Sequence, residues 1–143
     1  MFILQPDPID IFTQRQTKGR SVNGALTTFE GMVRSDKHQN KEVTSLLYLA
    51  NEDACNLEGS KIIEESFQQF SVSHAICIQR IGKVQAGETA VWIGVWSVHR
   101  DESFKACRYI IEEIKTRLLI WKKEYFKDGT SQWVHGCQTA INT

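Results

Sequence analysis

Lys115 is the residue of this chain whose position is best suited to chemistry. It borders an apolar stripe with the spacing 3, 4, 3, 4, 3, made of Phe104, Cys107, Ile111, Ile114, Leu118 and Trp121. This spacing predicts the buried face of an amphipathic helix, which begins at the N-cap candidate Asp101 and extends to Glu124. A lysine at the edge of such a face is partly desolvated, which lowers its pKa and suits it to reactions of an acyl or anionic group. The alternative interpretation is a solvated basic flank on a core helix.

Other basic residues accompany Lys115 at regular distances. Arg108 and Lys122 stand seven residues before and after it, so all three share one flank of the predicted helix. His99 and Arg100 precede the helix, and Arg100 and Lys115 lie roughly 22 Å apart along its axis. No small ligand contacts both ends of such a helix. Either these residues belong to separate sites, or the helix start of one chain meets the helix middle of another chain in a dimer.

The balance of charge excludes a general attraction to polyanions. The chain has 17 basic and 17 acidic residues among 143, so no global field draws nucleic acid or an anionic membrane. The basic residues must therefore act as a local patch or pocket. The length predicts a single domain over residues 1–143. The sequence shows neither a signal peptide nor an apolar run of about 18 residues, so we expect a soluble protein.

The cysteines predict free thiols rather than a metal site. The four of them, at positions 55, 77, 107 and 137, form no CxxC pair and no metal-ligand spacing with the four histidines. We therefore expect neither a metal nor a bound cofactor. Cys77 and Cys107 fall in strand and helix patterns, where a buried free thiol is the expected state. This usage indicates a reducing, cytoplasmic environment.

Two long helices and several strands are predicted to position these residues. The strand patterns cover residues 24–34, 43–50, 71–81 and 89–98, with a short last strand at 131–136. A helix capped by Asn51 or Asp53 extends to about Phe70, and a brief helix lies around Ile9–Gln14. Residues 35–42 are polar and predict a loop. This irregular alternation favours an α+β fold with a mostly antiparallel sheet and two main helices.

Several sequence blocks, in this order, resemble the large, catalytic subunit of molybdopterin synthase, the MoaE family. The blocks are GALTTFEGMVR (24–34), IQRIGKVQAGE (78–88), SVHR (97–100) and FKACRYIIEEIKTRLLIWKKE (104–124), with SQWVHG (131–136) resembling the closing strand. The combination of a His-Arg pair before a helix, a lysine within it and a Trp-Lys-Lys-Glu run is specific. The resemblance covers nearly everything from Gly24 to Val134.

The resemblance implies a fold, partners and a reaction. The family fold is an α/β hammerhead, and the subunit forms a homodimer within a heterotetramer. Each end binds a small ubiquitin-like sulfur-carrier subunit, whose C-terminal Gly-Gly tail bears a thiocarboxylate and enters a pocket. There two sulfurs are transferred to cyclic pyranopterin monophosphate, which produces the dithiolene of molybdopterin. This sulfurtransferase activity belongs to molybdenum cofactor biosynthesis, and the sulfur arrives on the partner.

The resemblance also implies which residues of this chain form the pocket. Lys115 matches the essential lysine, and Lys115 and Lys122 are the implied catalytic residues. The implied substrate-binding residues are Met32, Val33, Arg34, His99, Arg100, Lys115, Lys122, Lys123 and Glu124. In the family the His-Arg pair reaches the pocket from the other protomer. A shared pocket of this kind would explain how Arg100 and Lys115 can act together although they lie far apart on one helix.

Each residue also has a simpler interpretation, and the chain departs from the family in places. His99 also fits a structural role at the start of the helix, Arg34 the end of an exposed strand, and Trp121 a place in the core. Leu119 stands where family members usually carry a proline, and the second strand lacks the usual glutamate. Two other functional classes remain open: a non-catalytic dimeric scaffold that docks a ubiquitin-like partner, and a dimeric enzyme acting on another phosphorylated or acyl ligand.

Overall fold

The computed structural model describes residues 1–16 and 21–134, and within them the chain forms three helices and nine strands. The helices are α1 (Ile11–Gln16), α2 (Glu52–Gln69) and α3 (Arg100–Arg117). The strands are β1 (Phe2–Gln5), β2 (Ala25–Met32), β3 (Lys37–His38), β4 (Lys41–Ala50), β5 (His74–Arg80), β6 (Gly82–Gln85), β7 (Thr89–Ser97), β8 (Ile120–Phe126) and β9 (Ser131–Trp133). Among these helices, none has the length and hydropathy needed to cross a membrane.

The first sheet carries the main core. Its strand order is β1-β5-β7-β2, with antiparallel pairing except for β1, which runs parallel to β5. One face packs against α2 and α3 around Ile62, Ile93 and Ile110. On the other face Trp92 and Trp96 are buried with Ile76 and Ile78. Strand β7 is therefore covered on both faces, and the two tryptophans share one face because strand side chains alternate.

The second sheet is built around β4 and β8. Its order is β3-β4-β8-β9, and β6 pairs with β4 as well. The pairing within it is antiparallel throughout. Together the two sheets confirm the α+β fold with mostly antiparallel pairing and two main helices. Of the two predicted caps of α2, Asn51 is confirmed, since its side chain accepts a hydrogen bond from the backbone N–H of Ala54 at 3.1 Å, whereas Asp53 lies in the first turn.

The predicted length of the last helix was wrong, because α3 ends at Arg117 rather than near Glu124. Leu118 has extended backbone angles, and its N–H still bonds to the carbonyl of Ile114. The next residues, IWKKEYF, form β8 along β4. The aromatic and β-branched residues of this segment suit a strand, and pairing with β4 satisfies backbone groups that an isolated helix end would leave open. Lys122 is consequently not on the helical flank of Arg108 and Lys115.

The buried stripe of α3 also differs from the predicted one. The buried residues of the helix are Ser103, Ala106, Cys107, Ile110 and Ile114. Phe104 is 56% exposed, and Trp121, which the sequence placed on the buried stripe, is 40% exposed on β8. The N-cap is His99, and Asp101 lies in the first turn. The small side chains of Ser103 and Ala106 are fully buried, so the face of α3 that packs against the sheet differs from the one that the spacing predicted.

The predicted loop at residues 35–42 is a β-hairpin instead. Strand β3 pairs with the start of β4, and the two turn residues, Gln39 and Asn40, have φ angles of 53° and 66°. Two successive positive φ angles are typical of the tight turn whose twist matches that of paired strands. The polar composition of this segment concealed the pairing because neither face of the hairpin is buried in the core.

Candidate functional site

A cavity of about 670 Å³ lies where α3 meets both sheets. Its wall includes apolar side chains of β4, α3 and β8, such as Leu46, Ile114 and Ile120. The charged and titratable groups that line it are Arg34, Asp36, His38, Tyr48, Lys115, Lys122 and Glu124. A mostly apolar cavity with a few convergent charged groups is the usual form of a small-molecule site.

Three different elements supply the cations. Arg34 follows the end of β2, Lys115 belongs to the last turn of α3, and Lys122 is on β8. Strand alternation then decides which part of the Lys-Lys-Glu run faces the cavity. Lys122 and Glu124 line it, whereas the Nζ atom of Lys123 lies 5.7 Å from the ring centre of Tyr125 on the opposite face of the sheet. The structure therefore separates Lys123 from the other two.

Both cavity lysines are desolvated. Burial is the main cause that lowers the pKa of Lys122 to about 8, followed by the charge of Lys115, while Glu124 acts in the opposite direction. Burial likewise lowers the pKa of Lys115, with Glu112 opposing and Arg34 adding to the shift. The sequence predicted this shift for Lys115 from its place at the edge of the apolar face. Lys122 is therefore mostly protonated at pH 7 and releases its proton in mildly basic solution.

Glu124 is the buried anion of the cavity, and two residues hold it. The Nδ1 atom of His38 lies 3.1 Å from one carboxylate oxygen of Glu124 and 3.0 Å from the other. The Nε2 atom of Gln132 donates to the same carboxylate at 3.3 Å. The sequence reasoning missed His38 and Gln132, because their contacts depend on the hairpin and on β9 lying next to β8. The polar composition of residues 35–42 indicated only that this segment is exposed.

The residues that follow β2 form one edge of the cavity. Val33 is buried, and its backbone bonds to Glu88 and Gly87 fix the chain there. The side chain of Arg34 is 76% exposed, and its Nη2 atom lies 3.0 Å from the Oδ2 atom of Asp36. A guanidinium has five N–H donors, so this single contact leaves others available to an anion at the cavity edge. Met32 also lines the cavity and is largely exposed.

Tyr48 is a further residue that the sequence reasoning did not single out. It lies on β4 directly opposite Lys122 in the strand register and lines the cavity. Burial raises the pKa of Tyr48 to about 12, so its hydroxyl stays neutral. A neutral hydroxyl beside desolvated lysines is available as a hydrogen-bond donor to a bound anion.

His99 and Arg100 do not line this cavity. They stand at the start of α3, whereas Lys115 belongs to its last turn. The length of the helix keeps them apart within one chain, as the sequence predicted. Among the residues that the structure describes, no cluster of three metal-binding side chains occurs.

The chemistry available to this site is anion binding combined with proton transfer. Arg34, Lys115 and Lys122 offer three positive charges around one cavity. Charge interactions of the two desolvated lysines are stronger than those of lysines in bulk water. A lysine whose pKa lies near 8 serves as a general acid or base close to neutral pH. Fixed cations also stabilise negative charge that develops during a reaction.

The comparisons with known proteins all point to one family. The family model described as MoaE protein matches residues 4–117. The molybdopterin synthase catalytic subunit of Thermoplasma volcanium is 36% identical over 127 residues, which cover 89% of this chain and 90% of that protein. The subunit of the same name from Synechococcus elongatus is 40% identical over 114 residues, covering 79% and 68%.

Solved structures show the same fold. The crystal structure of molybdopterin synthase from Staphylococcus aureus superposes with a TM-score of 0.85 at 31% identity, covering 92% of this chain and 95% of that chain. A complex of subunits 1 and 2 of molybdopterin-converting factor from Helicobacter pylori gives a TM-score of 0.77 at 17% identity, covering 94% and 90%. At that identity the second likeness concerns the fold alone.

Proposed function

This chain belongs to the MoaE protein family, and we propose that it is the catalytic subunit of a molybdopterin synthase. In this role it transfers sulfur from a thiocarboxylated small carrier protein to cyclic pyranopterin monophosphate and forms the molybdopterin dithiolene. The observation that carries the proposal is the convergence of Arg34, Lys115 and Lys122 on one cavity with a partly apolar wall. Both the substrate phosphate and the carrier thiocarboxylate are anions, so a cavity with three cations suits them.

Each cavity cation has a role in this proposal. Arg34 binds the phosphate through the donors that its contact with Asp36 leaves open. Lys115 orients the thiocarboxylate and its acyl intermediate and transfers a proton, and Lys122 exchanges a second proton as sulfur displaces oxygen. Opening of the cyclic phosphate and displacement of oxygen both build negative charge, which the three cations stabilise. Glu124, which is held by His38, raises the pKa of Lys122 and so favours its protonated form.

The three thiols among the described residues have no part in the proposed reaction. Cys55, Cys77 and Cys107 are buried and free. Burial raises the pKa of each of them, to about 11 for Cys107, so little thiolate forms near neutral pH. This supports a partner-borne sulfur atom rather than a nucleophilic cysteine among the described residues. Buried free thiols also support assignment to a reducing, cytoplasmic compartment. Cys137 lies outside the described residues.

The working assembly is a homodimer within a heterotetramer, with one small ubiquitin-like subunit at each end. The distance between Arg100 and Lys115 on α3 supports a site that takes His99 and Arg100 from the second protomer. The Helicobacter pylori protein of the same fold is found in a complex of two different subunits, which favours a comparable partner here. The carrier tail would enter the cavity beside Met32, which is exposed at its edge.

Reconstitution tests the proposal. Purified chain is incubated with a carrier that ends in a Gly-Gly thiocarboxylate and with cyclic pyranopterin monophosphate, and the molybdopterin formed is quantified. The same carrier with an ordinary carboxylate is the matched control, and it should bind without giving product. Binding of both carriers without product from either would favour a non-catalytic scaffold. Failure to bind either carrier would favour an enzyme for another phosphorylated or acyl ligand.

A further inference from the structure

Arg117, the last residue of α3, binds three carboxylates where α3 meets α2. Its Nη1 and Nη2 atoms donate to the two oxygens of Glu65 at 2.7 and 3.0 Å. Its Nε atom donates to Glu58 at 2.9 Å, and Nη1 also donates to Glu113 at 3.0 Å. Glu58 and Glu65 belong to α2. The planar guanidinium therefore fixes the end of α3 relative to α2 in both distance and orientation.

The carboxylate of Glu65 is held from two places on α3. Hydrogen bonds from Arg117 and then from Tyr109 are the main causes that lower the pKa of Glu65 to about 2. The Tyr109 hydroxyl donates to Glu65 at 2.5 Å, two turns before Arg117. Because Glu65 stays ionised far below neutral pH, the link between the helices persists over the pH range in which the cavity lysines titrate.

This link lies at the part of α3 that carries Lys115. Helix ends fray, because their last carbonyl groups lack helical partners. The side chain of Lys115 lines the cavity, whereas Arg117, two residues later, points to α2 on the other side of the helix. Beyond the helix, the carbonyl of Leu119 accepts a hydrogen bond from the N–H of Asn51 at 3.2 Å. Helix α2 thus holds the junction that connects Lys115 on α3 with Lys122 on β8.

We propose that Arg117 is a positioning residue, which fixes the place of Lys115 in the cavity through its contacts with the α2 carboxylates. Arg117 does not line the cavity, so its effect on the reaction passes through the backbone of the last turn of α3. The inference rests on the proposed function only where turnover is concerned, because the environment of Lys115 can be measured without substrate.

The competing explanation is an ion-pair network that only stabilises the fold. Under that explanation, loss of Arg117 lowers the melting temperature but leaves Lys115 unchanged in every molecule that is folded. Under the positioning role, the last turn of α3 loosens in the folded protein. Water then reaches Lys115, and the desolvation that lowers its pKa is partly relieved.

Three variants separate these explanations. Arg117→Met removes both the positive charge and the planar set of guanidinium donors. Arg117→Lys keeps the charge without that set of donors. Arg108→Met is the matched control, since Arg108 is an exposed arginine of the same helix and takes part in none of the ion pairs of the described residues. Modification of Lys115 by an amine-reactive reagent is followed against pH by mass spectrometry, at a temperature where circular dichroism shows every variant folded.

The expected result is a shift of the Lys115 modification profile to higher pH in Arg117→Met, a smaller shift in Arg117→Lys and none in Arg108→Met. In the reconstituted reaction, kcat of Arg117→Met falls about tenfold, while KM for the carrier changes less than about twofold. A reacting group displaced by a fraction of an ångström loses rate in this range without affecting the docking of the partner.

An unchanged Lys115 profile in folded Arg117→Met protein would overturn the proposal, whatever its turnover. If Arg117→Met does not fold, the Lys115 modification profile is measured in Arg117→Lys and Glu65→Gln instead. Each of these variants weakens the paired hydrogen bonds between Arg117 and Glu65 while leaving part of the ion-pair network. If the wild-type chain forms no molybdopterin, the proposed function fails, and the Lys115 profile still decides the positioning role of Arg117.

Discussion

Lys115 and Lys122 reach the same cavity from different elements, and the charge of Lys115 is the second cause, after burial, that lowers the pKa of Lys122 to about 8. Lys115 comes from the last turn of a helix, and Lys122 comes from the strand that follows it. Only two residues, Leu118 and Leu119, separate the two elements. Placing two cations in one poorly solvated space costs stability, and such costs are typical of functional sites.

Substitution of Lys115 tests its role in the chemistry. We expect Lys115→Ala to reduce molybdopterin formation by at least about a hundredfold, since general acid–base groups contribute at least this much. Circular dichroism and carrier affinity should remain close to wild type. Lys115→Arg should also fail, because a guanidinium does not release a proton near neutral pH. Near-normal turnover by Lys115→Ala would remove this lysine from the mechanism.

The lowered pKa of Lys122 predicts a loss of anion affinity in mildly basic solution. Protonated Lys122 dominates at pH 7, and its positive charge disappears as the pH rises through about 8. Affinity for cyclic pyranopterin monophosphate, measured by calorimetry, should therefore fall about tenfold between pH 7 and pH 9. Lys122→Arg, which stays charged, should retain affinity to higher pH. A wild-type affinity that is flat up to pH 10 would contradict the assignment.

Arg34 should separate phosphate binding from partner docking. Arg34→Ala removes the open donors at the edge of the cavity, so pterin affinity should fall by about 1.5–3 kcal/mol. Carrier affinity should change little, because the docking area lies mainly outside the phosphate site. Asp36→Asn is a useful control, since it leaves Arg34 in place while weakening the only ion pair of Arg34 among the described residues. Collapse of carrier binding with intact pterin affinity would assign Arg34 to the protein interface.

Subunit mixing tests whether the site is shared between protomers. Lys115→Ala and Arg100→Ala dimers, each expected to be nearly inactive, are unfolded and refolded together. In a mixed dimer one pocket carries both substitutions and the other carries neither. Random pairing makes about half of the dimers mixed, so activity should return to about a quarter of wild type. With mixing verified by mass spectrometry, a complete absence of activity would show that both residues serve a pocket within one chain.

Much of the fold was predictable because local patterns and tertiary contacts agree. The run of residues 89–98 indicated a strand, and β7 lies there between β5 and β2 with Trp92 and Trp96 buried. Asn51 indicated the start of α2 through the chemistry of its side chain. These features depend on neighbours along the chain, so the sequence was sufficient to predict them.

The end of α3 was not predictable in the same way. Leu118 and Trp121 continue the helical spacing by coincidence, and no residue before Leu118 breaks the helix. What ends it is pairing of Ile120–Phe126 with β4, a contact between segments about 75 residues apart. The hairpin at residues 37–42 was missed for a related reason, since its pairing is local but its residues are polar and exposed.

The same division applies to the site. The order of residues along the chain was enough to identify those with suitable chemistry, and it placed Lys115 at the edge of an apolar face, where its pKa is lowered. Only the folded chain shows that Lys122 and Glu124 face the cavity while Lys123 faces away, because this depends on the strand register of β8. The contacts of His38 with Glu124 and of Arg117 with Glu65 emerged in the same way. Such contacts join residues that are distant in sequence, and composition or periodicity carries no information about them.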